Sequence, residues 1–367
     1  MQRIEATAGE LPIWRGEHYL EGHRGVYTSQ GWIKRANRLA ERALHEAEAL
    51  TAMAGGACDL TEAWKLLCLN QFHDIVTGTS VGSVYADARQ DYARLAALVE
   101  PVAARALPGD TPVALNTAPT TGPRIAEAAF DLPGGQKSGD RWLYLLREAP
   151  CYAAISLARA AQPTAPVRAQ RAGSGALLEN GLARVALLDN GQITELLDLE
   201  TGRNLLAEGS LGNQLQTFED RPICWDAWDI DPHFEDRRED IRAPAELEIL
   251  EDGPVRAAVR ITHRWRHSTG VQTIRLGAES RRIDFVTEVD WHERHILMKA
   301  AFPVALSAPD ARYDIQWGTI ERATTRETAF NAARFEVPAQ KWAELEEDGY
   351  AIALMSDCKY GYDVRGS

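Results

Sequence analysis

The spacing of apolar residues changes near Leu107-Pro108-Gly109-Asp110, and this change limits what the chain can fold into. Before this point, apolar residues recur about every 3.6 positions, which is typical of amphipathic helices. After it, short segments alternate between apolar and polar residues, which is typical of half-buried strands. The chain has 367 residues, more than one ordinary core needs. We therefore predict a multidomain α plus β chain, in which a three-helix bundle is followed by an antiparallel β-sandwich region.

Three helices are predicted before the change of pattern. Thr28 or Ser29 can cap the first helix, and Gly55-Gly56 can end it. Asp59 followed by Glu62 has the spacing of a capping box at the start of the second helix. The apolar stripe predicted for the first helix comprises Trp32, Ala36, Leu39, Ala43, Ala47 and Leu50. Short connections between the helices favour a compact bundle.

Turn signals separate the predicted strands in the second part of the chain. Asp189-Asn190-Gly191 and Glu200-Thr201-Gly202 are typical of hairpin turns, and Ile193 to Leu199 is a short strand between them. The alternation over residues 283–292 predicts a half-buried strand. The stretch from Gln162 to Gly175 is rich in small residues and proline, and we predict a boundary between two β units there.

A polar group interrupts the second helix at its end. The run Asn70 to Thr79 puts His73 and Asp74 side by side, shortly before Gly78. Because residues three and four apart share a helix face, we expect Asn70, His73 and Asp74 to lie along one edge. Polar groups at a packed edge cost free energy unless a partner satisfies them. From the residues alone, that partner could be a metal ion, a sugar or a neighbouring side chain.

Charge and composition exclude several classes of protein. The net charge of −13 argues against nucleic acid or an anionic membrane surface as a partner. The sequence has no run of about 18 apolar residues that could span a bilayer, and its amino terminus lacks the apolar core of a signal peptide. The five cysteines are scattered, which argues against a disulfide framework and against thiolate zinc sites. We predict a cytoplasmic protein with reduced thiols.

Several longer motifs resemble the α-mannosidases of glycoside hydrolase family 38, in particular their bacterial and cytosolic or vacuolar branch. The likeness runs nearly end to end. The motifs that carry it are Leu11 to Glu17, Tyr19 to Glu21, His23 to Gln30, Asn70 to Thr79, Asn213 to Gln216, Phe218 to Pro222, Trp225 to Ile230, Trp291 to His295, Phe302-Pro303, Gly318 to Arg322 and Asp357 to Asp363.

The resemblance implies an order of domains. Family members begin with a large α/β barrel that carries a His-x-Asp pair and the aspartate nucleophile, and continue through a three-helix domain into β-sandwich domains. This chain contains no His-x-Asp, so we expect the barrel to be absent and the β region to be truncated. We expect the tail of the barrel domain or a linker over 1–27, the three-helix bundle over 28–107, a small β domain over 108–170, and a sandwich over 171–367.

The resemblance also implies site residues. It makes His73 one ligand of a catalytic Zn²⁺, and it puts Asp74 close to the hydroxyl groups of the substrate. The other zinc ligands and the nucleophile would come from the barrel, so the zinc site is incomplete in this chain and no catalytic residue is assigned. The implied reaction is retaining hydrolysis of terminal non-reducing α-linked mannose in oligosaccharides, with little or no activity expected of the chain alone.

Other readings stay open from the sequence. The chain could be a non-catalytic carbohydrate-binding or assembly module, or a separate chain could supply the barrel. A bundle face left uncovered by an absent barrel would favour self-association.

Two tryptophans and two aspartates could form an aromatic sugar platform, although we favour tryptophans packed in the core and aspartates that cap turns. These residues are Trp225, Asp226, Trp228 and Asp229.

Two further groups are candidates for site residues. His292 and His295 lie three apart in a segment of period two, so they should point to opposite faces and not share a metal ion. A second group lies where the barrel would meet the bundle, and it could either border the substrate cleft, with Arg24 and Tyr27 contacting substrate, or form interdomain packing. Its members are His18, His23, Arg24 and Tyr27.

Overall fold

A computed structural model of the chain describes residue 17, residues 22–106 and residues 112–366. The predicted motifs Leu11 to Glu17 and Tyr19 to Glu21 therefore lie outside the described residues, apart from Glu17, and so does His18. The described helices are α1 (Gly31–Met53), α2 (Thr61–Asn70), α3 (Gly82–Ala106) and the short α4 (Ala329–Ala332). The first three pack as a bundle ahead of antiparallel sheets, which confirms the predicted fold class.

The buried face of α1 differs from the predicted apolar stripe. Of the predicted set, Ala47 and Leu50 are buried, whereas Trp32, Ala36 and Leu39 are only half-buried. The residues that α1 buries are Ile33, Lys34, Asn37, Ala40, Leu44, Ala47 and Leu50. The predicted stripe was therefore wrong at the start of α1, because the buried face there includes Lys34 and Asn37, which a count of apolar residues passes over.

The start of α2 also differs from the prediction. Asp59 acts as a cap, since its Oδ1 accepts a hydrogen bond from the backbone N–H of Thr61 at 2.9 Å. Glu62 does not reach back to complete a capping box. Its Oε1 instead pairs with Lys65 Nζ at 2.7 Å, one turn further along the helix. The predicted end of α1 is confirmed, because Met53 is its last residue and Gly55 follows with a φ of 73°.

A small β unit follows the bundle. Its strands are β1 (Val113–Asn116), β2 (Arg124–Ala128), β3 (Gln136–Ser138), β4 (Arg141–Leu146) and β5 (Ala153–Ser156). β1 pairs with β5, and β2, β4 and β3 form a three-stranded sheet in that order. Tyr144 and Leu146 on β4 pack against Ile155 and Leu157 in one core, which holds the two sheets together.

The next five strands form one sheet in the order β10-β9-β8-β7-β6. They are β6 (Arg168–Ala172), β7 (Gly175–Glu179), β8 (Ala183–Leu187), β9 (Ile193–Asp198) and β10 (Arg203–Asn204). The two predicted hairpin turns are confirmed, with Gly191 and Gly202 at positive φ. Residues 170 and 171, between which the domain boundary was placed, both lie in β6, which pairs along its whole length with β7. The domain bounds stay a prediction.

The remaining strands complete the β region. They are β11 (Gln214–Glu219), β12 (Arg238–Asp240), β13 (Glu246–Asp252), β14 (Arg256–Trp265), β15 (Ser268–Gly277), β16 (Ile283–Asp290), β17 (Ile296–Ala301), β18 (Asp310–Ile315), β19 (Gly318–Ala323), β20 (Val337–Pro338), β21 (Trp342–Glu347), β22 (Tyr350–Met355) and β23 (Gly361–Tyr362). The sheet β13-β14-β15-β16 packs on the sheet β10-β9-β8-β7-β6 to form a sandwich with a shared apolar core. Smaller sheets have the orders β12-β11-β17, β19-β18-β21-β22 and β20-β23.

The strand predicted over residues 283–292 is shorter than expected. β16 ends at Asp290, and residues 291–295 connect it to β17. Val286 and Val289 are partly exposed, so only the first part of the strand contributes to the core. His292 and His295 therefore lie on a loop, and the period-two argument about their directions does not apply to them.

Candidate functional site

The predicted candidate site lies on the segment that follows α2, residues 71–80, which we call the signature loop. α2 ends at Asn70, so the helical spacing does not extend to His73 and Asp74. Asn70 is buried and its Nδ2 donates to Leu66 O at 3.0 Å and to Asp91 Oδ2 at 3.1 Å. The expectation that Asn70 shares an edge with His73 and Asp74 is therefore wrong, because the helix ends before the two reach that face.

The signature loop presents His73 and Asp74 to the outside. Their side chains are 76% and 49% exposed, and His73 Nε2 lies 3.7 Å from Asp74 Oδ2. The ring of Phe72, itself half exposed, lies beside the imidazole with 4.3 Å between ring centroids. An imidazole and a carboxylate are thus available together for a ligand from outside the described residues.

Hydrogen bonds within and beside the loop fix its backbone. Thr77 Oγ1 donates to His73 O at 2.8 Å, and Ser80 Oγ donates to Asp74 O at 2.6 Å. The backbone N–H of Ser80 donates to Tyr85 OH on α3 at 3.0 Å. Both residues of the candidate site therefore have their carbonyl groups held by hydroxyl donors, and only their side chains are free to adapt.

A buried lysine ties the signature loop to α1. Lys34 Nζ donates to Thr77 O at 2.8 Å and to Ser29 O. Burial, together with the nearby positive charge of Lys359, lowers the pKa of Lys34 to about 7. Gly78 packs against the same backbone at a φ of 87°, and a Cβ there would overlap the Ser29 carbonyl oxygen. Sequence reasoning missed Lys34, whose burial only the packing of α1 against the signature loop reveals.

Arg24 is buried between the helical and β parts of the chain. Its Nη1 donates to Asp229 Oδ1 at 3.1 Å, and its Nη2 donates to Ala333 O at 2.9 Å. The guanidinium also lies over the Phe335 ring, 4.3 Å from its centroid. These contacts match the packing alternative for Arg24, and Tyr27 is buried nearby. A substrate contact by either residue stays a prediction.

The segment around Trp225 only partly follows the interpretation favoured from the sequence. Trp228 is half-buried and lies edge-on to His23, with 5.6 Å between ring centroids. Asp229 forms an ion pair with Arg24. Trp225, by contrast, is 71% exposed and has a φ of 66°. The expectation that both tryptophans pack in the core is therefore wrong for Trp225. Asp226 beside it is also exposed.

The loop after β16 carries His292, Glu293 and His295, and the first two of them make local contacts. His292 Nε2 pairs with Asp290 Oδ1 at 3.0 Å. Glu293 Oε1 instead accepts hydrogen bonds from His267 N and Ser268 Oγ, both at 2.9 Å. Neither of these contacts involves both His292 and His295.

A complete metal site is not formed by the described residues. Among them, no group of three or more histidine, cysteine, aspartate or glutamate side chains could hold a metal ion. Zinc in proteins takes three or four protein ligands. His73 offers one suitable imidazole, so the described residues do not fit zinc by themselves. Within the same ranges, no helix has both the length and the apolar character needed to cross a membrane.

Comparison with known protein families identifies the family to which these domains belong. Residues 21–108, which include the bundle and the signature loop, match the alpha mannosidase middle domain. Residues 178–367 match the glycosyl hydrolases family 38 C-terminal domain, over more than half of the chain. The fold is thus that of the middle and C-terminal domains in a class of glycoside hydrolases. The chain belongs to glycosyl hydrolase family 38, which confirms the predicted resemblance.

Individual relatives agree with this family. The chain is 35% identical to alpha-mannosidase 2C1 of Homo sapiens, over 99% of this chain and 37% of that protein. It is 28% identical to alpha-mannosidase G of Dictyostelium discoideum, over 100% of this chain and 39% of that protein. The chain thus spans a little over a third of the length of these relatives.

Solved structures share the fold. An alpha-mannosidase from Enterococcus faecalis V583 is similar with a TM-score of 0.70 and 16% identity, over 94% of this chain and 50% of that chain. At this low identity, the likeness supports the arrangement of helices and sheets and no residue role.

Proposed function

We propose that this chain contributes the middle and C-terminal domains of a zinc-dependent, retaining α-mannosidase. The substrates would be oligosaccharides with terminal non-reducing α-D-mannose, handled in the cytoplasm. The observation that carries the proposal is the signature loop of a family 38 middle domain, which holds His73 and Asp74 exposed on a fixed backbone. The names of the relatives, all alpha-mannosidases, support the same activity.

In this proposal, His73 is one zinc ligand and Asp74 accepts hydrogen bonds from substrate hydroxyl groups. Zinc, when bound by a full ligand set, would orient the hydroxyl groups of the sugar. A retaining glycosidase also needs two carboxyl groups about 5 Å apart, one as nucleophile and one as acid and base. The family resemblance assigns the nucleophile and the other ligands to a barrel domain. We therefore expect little or no hydrolysis by this chain alone.

The first test is hydrolysis of an aryl α-mannoside by the purified chain with added zinc. His73→Ala is measured beside it, with His233→Ala as a control, because His233 is another exposed histidine. We expect no turnover in any of the three proteins. Turnover that His73→Ala alone abolishes would support the role of His73 and overturn the expected inactivity. Turnover that survives His73→Ala would overturn both.

A second candidate function is carbohydrate binding without hydrolysis, and the exposed indole of Trp225 beside the exposed carboxylate of Asp226 favours it. Tryptophan is enriched at binding interfaces because it combines a large apolar ring with a polar N–H. The test is binding of a mannose oligosaccharide to Trp225→Ala and to Trp317→Ala, since Trp317 is another exposed tryptophan. Loss of binding in Trp225→Ala alone supports this function, and equal binding by both variants contradicts it.

Apolar residues around the signature loop indicate a surface that a partner could cover. Phe72 of the signature loop is exposed, as are Leu69 and Val81 on either side of that loop, which fits a face that a barrel domain or a second copy of the chain would cover. Sedimentation velocity of the chain and of Phe72→Ser tests the second possibility. A sedimentation coefficient that falls with dilution, and less so in the variant, supports self-association through this face.

A further inference from the structure

A cleft of about 360 Å³ opens at one end of the sheet β12-β11-β17. Charged side chains dominate its wall, and we call it the arginine cleft. Those side chains are Glu219, Arg221, Arg237, Glu239, Arg266 and Arg294. Four arginines against two glutamates leave a local excess of positive charge, in a chain whose net charge is −13. The charge on the wall of the cleft is thus opposite in sign to the net charge of the chain, which favours an anionic ligand.

Glu219 orients two of the arginines. Its Oε1 accepts from Arg221 Nε at 2.5 Å, and its Oε2 accepts from Arg237 Nη1. The two hydrogen bonds, from Arg237 and then from Arg221, hold the pKa of Glu219 below its ordinary value, so this carboxylate is ionised at neutral pH. Both of its oxygens are occupied. Each of the two guanidinium groups keeps N–H donors that have no partner among the described residues.

Glu239 holds the third arginine against an aromatic wall. Its Oε2 accepts from Arg266 Nη2 at 2.8 Å, and its Oε1 accepts from Trp265 Nε1 at 3.3 Å. The Arg266 guanidinium lies over the Trp265 ring, 4.3 Å from its centroid, and that ring stacks on Trp291 at 5.7 Å. The stacked rings limit the positions that the guanidinium can take, so Arg266 loses less freedom when it binds a ligand.

Arg294 has no hydrogen bond or ion pair with any residue that the structure describes, although it lines the cleft beside three paired arginines. Its loop is anchored by the neighbouring residue, because His295 O accepts from the backbone N–H of Asp220 at 2.8 Å. An unpaired guanidinium next to pre-oriented ones is a group that an anionic ligand would satisfy. Guanidinium forks match the geometry of phosphate oxygens, which accept two parallel hydrogen bonds.

We propose that the arginine cleft binds a phosphate group, either as the free ion or as the ester of a sugar. Arg294 supplies the unpaired guanidinium, and Arg221, Arg237 and Arg266 supply further donors that Glu219 and Glu239 hold in place. The carboxylates do not repel the ligand strongly, since each is already neutralised by an arginine. The site is separate from the proposed hydrolase activity and does not depend on it.

The test is calorimetric titration of the chain with inorganic phosphate and with mannose 6-phosphate, at constant ionic strength and with mannose as the neutral reference. Arg294→Ala is compared with Arg94→Ala, which removes an exposed arginine of α3 that also lacks a described partner. We expect Arg294→Ala to weaken phosphate binding roughly tenfold or more, the size of one charge-assisted contact. Arg94→Ala should bind phosphate like the unchanged chain.

The outcomes separate clearly. Binding of either phosphate compound that Arg294→Ala weakens and Arg94→Ala leaves intact supports the site, and the tighter of the two compounds identifies the source of the phosphate. No binding by the unchanged chain overturns the proposal, as does equal weakening by both variants, which would indicate general charge attraction. Arg221→Ala provides a second variant, in which Glu219 keeps its contact with Arg237. An unchanged affinity in that variant and in Arg294→Ala would also overturn it.

Discussion

Lys34 Nζ lies 2.8 Å from the carbonyl oxygen of Thr77, so a buried side chain of α1 holds the loop that carries His73. The same nitrogen donates to Ser29 O, and Ser29 Oγ donates to Ala227 O at 2.8 Å. A chain of contacts thus connects the signature loop, the start of α1 and the segment of Trp225. The candidate site is positioned by groups that do not themselves contact a ligand.

The first prediction concerns the pH dependence of stability. The pKa of Lys34 is lowered from 10.5 to about 7 in the folded chain, so between these values the unfolded chain binds a proton that the folded chain does not. The contribution of Lys34 to the free energy of unfolding therefore rises with pH across this window, by up to about 1.4 kcal/mol per pH unit. We expect Lys34→Met to lack this rise.

Urea unfolding of the two proteins at about pH 7 and about pH 9 measures the difference, in which other titrating groups cancel. The same slope in both proteins would mean that Lys34 titrates at its ordinary pKa, and the structural account of its burial would be wrong.

The second prediction concerns Gly78. An alanine there must adopt a φ of 87° and overlap the Ser29 carbonyl oxygen. We expect Gly78→Ala to lower the free energy of unfolding by roughly 2 kcal/mol or more. Gly82→Ala is the control, because a Cβ at Gly82 meets no atom within 4 Å and alanine suits a helix. Equal stability of the two variants in chemical unfolding would contradict the close approach at Gly78.

The third prediction separates two residues of the same motif. His73 is exposed, so His73→Ala should change the free energy of unfolding by no more than about 0.5 kcal/mol. Asn70 is buried and donates two hydrogen bonds, so Asn70→Ala should cost about 1–2 kcal/mol. Chemical unfolding of both variants measures this. A large loss in His73→Ala would show that His73 has a role in packing.

The fourth prediction concerns His263, which is buried on β14 with neither ring nitrogen hydrogen-bonded within the described structure. Burial lowers its pKa from 6.5, so below about pH 6.5 the unfolded chain takes up a proton that the folded chain does not. The free energy of unfolding is therefore unaffected by this residue above that pH, and protonation of the unfolded chain lowers it as the pH decreases. As the pH falls below about 6.5, we expect the stability of His263→Leu to decrease less steeply than that of the unchanged chain.

Thermal unfolding of His263→Leu and of His267→Leu over the acidic range is the measurement, since His267 is exposed. Parallel pH profiles of the unchanged chain and His263→Leu would contradict the prediction. A shallower profile in His267→Leu alone would point to the exposed histidine instead.

The elements that depend on local interactions could be predicted from the sequence. The end of α1 at Gly55, the hairpin turns at Gly191 and Gly202, and the change from helices to strands all follow from residues close to each other. The family could also be predicted, because its motifs are long. The start of α2 was predicted incorrectly, since Glu62 pairs with Lys65 and does not complete a capping box.

The candidate site was only partly predictable. The sequence identified His73 and Asp74, yet it misjudged their relation to Asn70, because one turn of helix more or less decides which face a side chain joins. It also placed Trp225 in a core. Trp228 of the same segment does pack, so composition alone could not distinguish the two.

The sequence by itself determined the kinds of secondary structure, the family and the residue types at the candidate site. The tertiary structure decided which polar residues are buried and which charges meet. Arg24 contacts Asp229 and Ala333, and the arginine cleft joins β11 to the loop before β17. These partners lie tens to hundreds of residues apart, and only packing of the bundle and the sheets brings them together. Burial and pairing depend on that packing, whereas a turn or a helix end depends on its own neighbours.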